Sequence, residues 1–87
     1  MRDLAGRTAF VTGAASGIGL AFARAFAAED MNVMLADIEA PALEAAAVEL
    51  REFSPRVASV VCDVTDFASV SRASAATADA FGPVHIL

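Results

Sequence analysis

Short runs of apolar residues alternate along the chain with longer stretches in which apolar residues recur every three or four positions. The short runs predict four β-strands, at residues 7–11, 32–36, 56–62 and 84–87. The longer stretches predict three helices, at residues 17–29, 41–53 and 66–81. The strand runs are almost continuously apolar, which is typical of strands covered on both faces. The order β-α-β-α-β-α-β therefore predicts an α/β fold with a doubly wound parallel sheet.

Each predicted helix carries residues at helical spacing that are expected to face the sheet. They are Ile18, Phe22, Ala25 and Phe26 in the first helix, Leu43, Ala46, Ala47 and Leu50 in the second, and Phe67, Val70, Ser74 and Phe81 in the third. At the helix starts, Pro41 suits a first turn and Thr65 is expected to cap the third helix.

A glycine-rich turn, Thr-Gly-Ala-Ala-Ser-Gly-Ile-Gly at residues 12–19, separates the first predicted strand from the first predicted helix. Glycine allows positive φ and lets the backbone come close to a ligand. The helix that begins near Gly17 directs unpaired N–H groups and the positive end of its dipole toward the turn. This arrangement predicts a site for a pyrophosphate.

The residues of this turn that are expected to contact a dinucleotide are Gly13, Ala15, Ser16, Gly17, Ile18 and Gly19. Gly13 is expected to make the tight turn, and Ser16 to offer its hydroxyl or its N–H to phosphate. Gly17 and Gly19 are expected to leave room for the pyrophosphate and for close approach of the helix to the strand. Ile18 is expected to lie under the cofactor and to contribute its backbone N–H.

Asp37 follows the second predicted strand, 24 residues after Gly13. A carboxylate at that position of a dinucleotide fold accepts hydrogen bonds from the adenosine ribose and repels a 2′-phosphate. Ile38 follows it, and the glycine-rich turn contains no basic residue, so NAD is favoured over NADP. The alternative interpretation of Asp37 is a helix-capping or turn aspartate.

The turn resembles the Thr-Gly-x-x-x-Gly-x-Gly motif of the short-chain dehydrogenases/reductases, and the resemblance extends over essentially the whole chain. It implies that residues 1–87 are a partial NAD(P)-binding domain of Rossmann type, the N-terminal half only, truncated as the fourth strand begins. It also implies a parent enzyme that transfers hydride between nicotinamide and an alcohol or ketone. Such a parent is expected to be a homo-oligomer.

The resemblance further implies catalysis by a tyrosine and a lysine four residues apart, with a serine upstream. The tyrosine exchanges the hydroxyl proton while the lysine lowers its pKa. The chain has no tyrosine and no lysine, so no catalytic residue is assigned and these residues alone are expected to be inactive. At 87 residues, with an exposed sheet edge, the chain is expected to be marginally stable without a partner.

Asp63 and Val64 follow the third predicted strand, where members of the resembled family often have Asp-Val beside the adenine. We therefore add both, with Ile38, to the predicted cofactor-binding residues. Asp63 also suits a plain turn that leads into the next helix, and the two interpretations are compatible.

Composition narrows the remaining possibilities. Hydrophobic residues make up 57% of the chain and the net charge is −5, with six scattered arginines, which disfavours nucleic acid and membrane as partners. No apolar stretch is long enough for a membrane span or a signal core, and the single cysteine, Cys62, fits a cytoplasmic setting. Cys62 is expected to be a core residue, and His85 and Ser69 are expected to be inert.

Two other functions remain open. A non-catalytic NAD-binding or regulatory module would share the same turn and acidic residues. A fold that binds S-adenosylmethionine also places an acid after its second strand, but Thr12 and the three residues between Gly13 and Gly17 argue against it. The substrate is not indicated by these residues.

Overall fold

A computed structural model of the chain describes residues 5–52 and 54–82. Its elements, in order, are β1 (Thr8–Thr12), α1 (Gly17–Ala28), β2 (Asn32–Asp37), α2 (Ala40–Arg51), β3 (Val57–Val61) and α3 (Phe67–Phe81). The predicted alternation of three strands and three helices is confirmed. The predicted fourth strand, with His85, lies outside the described residues. No helix in the described part of the chain is both long and apolar enough to cross a membrane.

The three strands form one parallel sheet in the order β1-β2-β3, with β2 in the middle. Thr12 is paired with Ala36, and Asp37 is paired with Val61. All three strands therefore end at the same edge of the sheet, and each is followed there by a loop that leads to the next helix. The predicted parallel sheet is confirmed, and its carboxyl edge collects the three loops.

Side chains alternate across the sheet between two cores, as the two-residue period of a strand requires. One core, which contains Ala9, Val11, Val33 and Leu35 of the sheet, is covered by α1 and α2. The other, which contains Phe10, Met34 and Ala36, is covered by α3, and Cys62 lies in it as predicted. Helices therefore cover both faces, which is the doubly wound arrangement that the apolar strands predict.

The inward face of α2 was predicted correctly. Leu43, Ala46, Ala47 and Leu50 are all buried against the sheet. Pro41 lies in the first turn of this helix, where its missing N–H costs no intrahelical hydrogen bond. Leu43 and Leu50, seven residues apart, lie on the same face of the helix as Ala46 and Ala47, so the apolar spacing identifies the buried face here.

The predicted inward faces of α1 and α3 are only partly correct. Phe26 and Phe81 are partly buried against the two cores, but the other large apolar residues predicted to face the sheet are exposed: Ile18, Phe22, Phe67 and Val70. Helix α1 buries Gly19, Ala23 and Ala27, and α3 buries Ser69, Ala73 and Thr77. Ile18 is 77% exposed and Phe67 is 86% exposed. Small side chains at i, i+4 and i+8 let each helix approach the sheet closely, and Ile18 and Phe67 lie outside that contact. The exposed Phe22 stacks on the partly buried Phe26, with ring centroids 6.3 Å apart.

The cap of α3 also differs from the prediction. Asp66, not Thr65, is the N-cap residue, and its side chain accepts a hydrogen bond from the Ala68 N–H at 3.0 Å. The Thr65 hydroxyl instead donates to Asp63 at 2.7 Å, so it is not available to the helix. The carboxylate is favoured at this position because it also interacts with the positive end of the helix dipole.

Candidate functional site

The carboxyl edge of the sheet brings together every residue that the sequence singles out for cofactor binding. The glycine-rich loop follows β1, Asp37 and Ile38 lie at the end of β2, and Asp63 and Val64 follow β3. The Cys62 N–H donates to the Asp37 carbonyl at 3.0 Å, which extends the pairing of β2 and β3 to the last residue before Asp63. Neighbouring strands lie about 4.8 Å apart, so these three segments form one continuous row.

Gly13 makes the tight turn of the loop, as predicted. Its φ is +62°, in the region that glycine adopts without strain. Its carbonyl accepts hydrogen bonds from the Ser16 N–H at 3.0 Å and from the Ser16 hydroxyl at 2.7 Å. The Ser16 side chain in turn caps α1 by accepting from the Gly19 N–H at 3.4 Å. The Ser16 N–H is therefore used within the loop itself. The first N–H groups without such a partner are those of the residues that follow it.

Two backbone donors at the start of α1 have no protein acceptor in the described part of the chain. They are the N–H groups of Gly17 and Ile18, which precede the first intrahelical bonds. The Ile18 side chain is 77% exposed. Unpartnered N–H groups at the positive end of a helix dipole are suited to hydrogen-bond an anion.

Gly17 and Gly19 differ in what surrounds them. A β-carbon at Gly17 would meet nothing within 4 Å. A β-carbon at Gly19 would overlap the carbonyl oxygen of Gly13 and lie 3.1 Å from the Ala14 nitrogen. The open space predicted for a pyrophosphate is therefore beside Gly17, whereas the space beside Gly19 is filled by the backbone of the loop itself.

Asp37 is bonded on both carboxylate oxygens. One oxygen accepts from the Ala15 N–H at 2.9 Å and the other from the Glu39 N–H at 3.0 Å. The bond to Glu39, two residues ahead, is the turn interaction that the sequence left open as an alternative. A carboxylate has about four acceptor positions, so about two remain for hydroxyl donors.

Asp63 closes a turn in which Thr65 donates twice to the same carboxylate oxygen. The Thr65 hydroxyl lies 2.7 Å and its N–H 2.9 Å from Asp63 Oδ1. The hydroxyl first, and then the N–H, stabilise the carboxylate and hold the pKa of Asp63 below its ordinary value. The turn interpretation of Asp63 is thus observed, while its contact with an adenine stays a prediction.

Ser69 is a site residue that the sequence analysis missed. Its side chain is buried, and its hydroxyl accepts from the Asp63 N–H at 2.9 Å. It therefore fixes the turn that follows β3 from the first turn of α3. The one available signal was a serine six residues after the strand-end aspartate, which by itself does not separate this role from an ordinary helix position.

Comparison with known proteins identifies the family of this chain. The sequence profile of the short-chain dehydrogenase family matches residues 7–87. The chain belongs to the short-chain dehydrogenase family. It spans about a third of the length of the curated relatives that it matches. Sorbitol dehydrogenase of Cereibacter sphaeroides is 44% identical over 97% of the chain and 32% of that relative. Galactitol 2-dehydrogenase (L-tagatose-forming) of the same organism is 51% identical over the same shares.

Solved structures of short-chain dehydrogenases have the same fold. A short-chain dehydrogenase/reductase from Burkholderia phymatum, in complex with NAD, superposes with a TM-score of 0.93 at 39% identity. The match covers 98% of this chain and 30% of that structure. Hydroxysteroid dehydrogenase from Escherichia coli superposes with a TM-score of 0.90 at 29% identity, over 95% of this chain and 34% of that one. The three strands and three helices are therefore a Rossmann-type unit of this oxidoreductase family.

Proposed function

We propose that residues 1–87 bind NAD(H) at the carboxyl edge of the sheet, for an enzyme that transfers hydride between nicotinamide and an alcohol or ketone. The observation that carries the proposal is the pair of unpartnered N–H groups at Gly17 and Ile18, in a loop whose Ala15 N–H is bonded to Asp37. When bound, NAD supplies the hydride acceptor. The residues of this chain bind and orient it.

The start of α1 suits the pyrophosphate. The Gly17 and Ile18 N–H groups offer two charge-assisted hydrogen bonds, and the position of a side chain at Gly17 is open. Ser16 keeps its hydroxyl and N–H on the Gly13 carbonyl, so it stiffens the loop in this arrangement. The phosphate oxygens therefore meet donors that need no rearrangement of the backbone.

Asp37 suits the adenosine ribose of NAD better than that of NADP. About two of its acceptor positions remain for the two ribose hydroxyls after the bonds to Ala15 and Glu39. Its charge, and that of the neighbouring Glu39, oppose a 2′-phosphate. No arginine lies in residues 13–19 or 37–41 to offset that repulsion, and the chain has no lysine.

The adenine ring would lie between the ends of β2 and β3. Ile38 is 57% exposed and Val64 is 61% exposed, and each directly follows one of the two strand-end aspartates. Covering these two apolar side chains with a flat ring removes apolar surface from water. Asp63 borders the same space, with its turn held by Thr65 and Ser69.

Calorimetric titration of the intact protein with NAD and NADP tests this function, and oxidation assays with sorbitol, galactitol and threitol extend it. These substrates are chosen because they name relatives that are 43–51% identical to this chain. We expect NAD to bind at least about tenfold more tightly than NADP. Failure to bind either dinucleotide would overturn the proposal, and binding without turnover of any alcohol would favour a non-catalytic NAD-binding module.

A further inference from the structure

One hydrogen bond links the side chain of Asp37, at the end of β2, to the loop after β1. Asp37 Oδ2 accepts from the Ala15 N–H at 2.9 Å, across 22 residues of sequence. Ala15 and Asp37 are both half-buried, so water competes less for this bond than it would at an exposed position. The acceptor is ionised, which makes the bond stronger than one between neutral groups.

The N–H groups on either side of Ala15 donate to backbone acceptors. The Ala14 N–H donates to the Ala36 carbonyl at 3.1 Å, and the Ser16 N–H donates to the Gly13 carbonyl at 3.0 Å. Those carbonyls are present whatever the sequence. Over residues 5–52 and 54–82, the Ala15 bond is the one link from the loop to another strand that requires a particular side chain.

We propose that Asp37 is a positioning residue for the glycine-rich loop, in addition to its ribose role. Its carboxylate holds the Ala15 N–H and so fixes the backbone that leads through Ser16 to the Gly17 and Ile18 donors. The consequence for phosphate rests on the proposed function of those donors, whereas the hydrogen bond itself does not. Asp37 thus holds the loop that presents the phosphate-binding N–H groups, in addition to discriminating between the riboses of NAD and NADP.

This role has a consequence for changes of cofactor preference. Replacing Asp37 removes the repulsion that disfavours a 2′-phosphate, but it also releases the Ala15 N–H. Asparagine has one acceptor oxygen in place of two, so it cannot satisfy the Ala15 and Glu39 N–H groups together. A substitution that admits NADP at the ribose therefore loosens the loop that must hold the pyrophosphate.

Nuclear magnetic resonance on the cofactor-free full chain tests the bond directly. A scalar coupling between the Ala15 amide nitrogen and the Asp37 carboxyl carbon is expected in the unmodified protein. In Asp37→Ala, amide exchange at Ala15 should rise about tenfold or more, while exchange at Ala14 stays within about twofold. Glu39→Gln is the matched control, because its side chain makes no capping bond, and it should leave Ala15 exchange unchanged.

Binding of inorganic pyrophosphate, which has no ribose, separates the positioning role from ribose recognition. Asp37→Ala should bind pyrophosphate about tenfold more weakly than Glu39→Gln, although both lose one negative charge. If Asp37→Ala does not fold, Asp37→Val, which also lacks an acceptor and suits a strand end, provides the same comparison. Unchanged Ala15 exchange, or raised exchange with unchanged pyrophosphate affinity, would overturn the positioning role. Failure of the unmodified protein to bind NAD, with the Ala15 coupling present, would instead overturn the proposed function.

Discussion

Gly19 lies directly against Gly13, because a β-carbon at Gly19 would overlap the Gly13 carbonyl oxygen and lie 2.6 Å from the carbonyl carbon. The start of α1 and the tight turn at Gly13 therefore touch through backbone atoms. The close approach expected at Gly19 is therefore observed, while its contact with a pyrophosphate stays a prediction.

Gly19→Ala should destabilise the protein. The obstructing atoms belong to the backbone of Gly13, which cannot move away as a flexible side chain would. Overpacking of this kind costs about 1–3 kcal/mol in the free energy of unfolding. Urea unfolding measures it, with Gly17→Ala as the matched control, since a β-carbon at Gly17 meets nothing within 4 Å. Equal stability of the two variants would contradict the contact.

Gly17→Leu should weaken NAD binding but leave the stability of the fold nearly unchanged. Its side chain would project into the open space in front of the Gly17 and Ile18 N–H groups and exclude a phosphate there. We expect NAD affinity to fall about tenfold or more, from the loss of a charge-assisted hydrogen bond, while the urea midpoint changes little. Calorimetry and unfolding on the same preparation check both parts. Unchanged NAD affinity would remove this end of α1 from the proposed site.

Ala23→Leu should destabilise the protein far more than Ala28→Leu. Ala23 is fully buried between α1 and the sheet, whereas Ala28 is exposed in the last turn of the same helix. The helix propensity change is the same in both, so the difference reports the close approach of α1. We expect Ala23→Leu to cost about 1–3 kcal/mol in thermal or urea unfolding. Similar losses in the two variants would argue for the inward face that the sequence alone predicts, with Ile18 and Phe22 against the sheet.

Asp37→Ala should weaken NAD binding and narrow the preference over NADP. The loss of a hydrogen bond to a charged group costs about 1.5–3 kcal/mol, which is about one to two decades in affinity. NADP should lose less, because the same change removes a charge that repels its 2′-phosphate. Dissociation constants for both cofactors check this result. Tighter binding of NADP than of NAD by the unmodified protein would contradict the ribose role.

Thr65→Val should raise the pKa of Asp63 toward its ordinary value. The Thr65 hydroxyl is the larger of the causes that lower it, and the backbone N–H bond remains in the variant. Because the folded pKa is lowered, the turn stabilises the fold above the pKa of the unfolded chain and loses that contribution as pH falls through the folded pKa. Carbon-detected titration of Asp63 measures the shift. Thr65→Ser, which keeps the hydroxyl, should leave the pKa unchanged.

The order of elements was predictable because apolar runs and helical spacing are local properties of a chain. The glycine-rich turn, Asp37 and Asp63 could also be assigned to one edge, since the carboxyl ends of parallel strands meet there. Helix α2 followed its apolar pattern because both of its leucines, Leu43 and Leu50, are buried together with Ala46 and Ala47. Local sequence patterns are therefore sufficient to predict the order of the elements and the edge of the sheet at which these residues lie.

The tertiary structure decided what lies next to what. Sequence favours Ile18 and Phe22 as the buried face of α1, but the sheet selects Gly19, Ala23 and Ala27, because only small side chains allow that close approach. The bond from Asp37 to Ala15 joins residues 22 positions apart, and no local pattern indicates it. The sequence by itself determined the elements and the chemistry at their ends. Contacts between distant segments determined which faces are buried and which N–H groups stay free for a ligand.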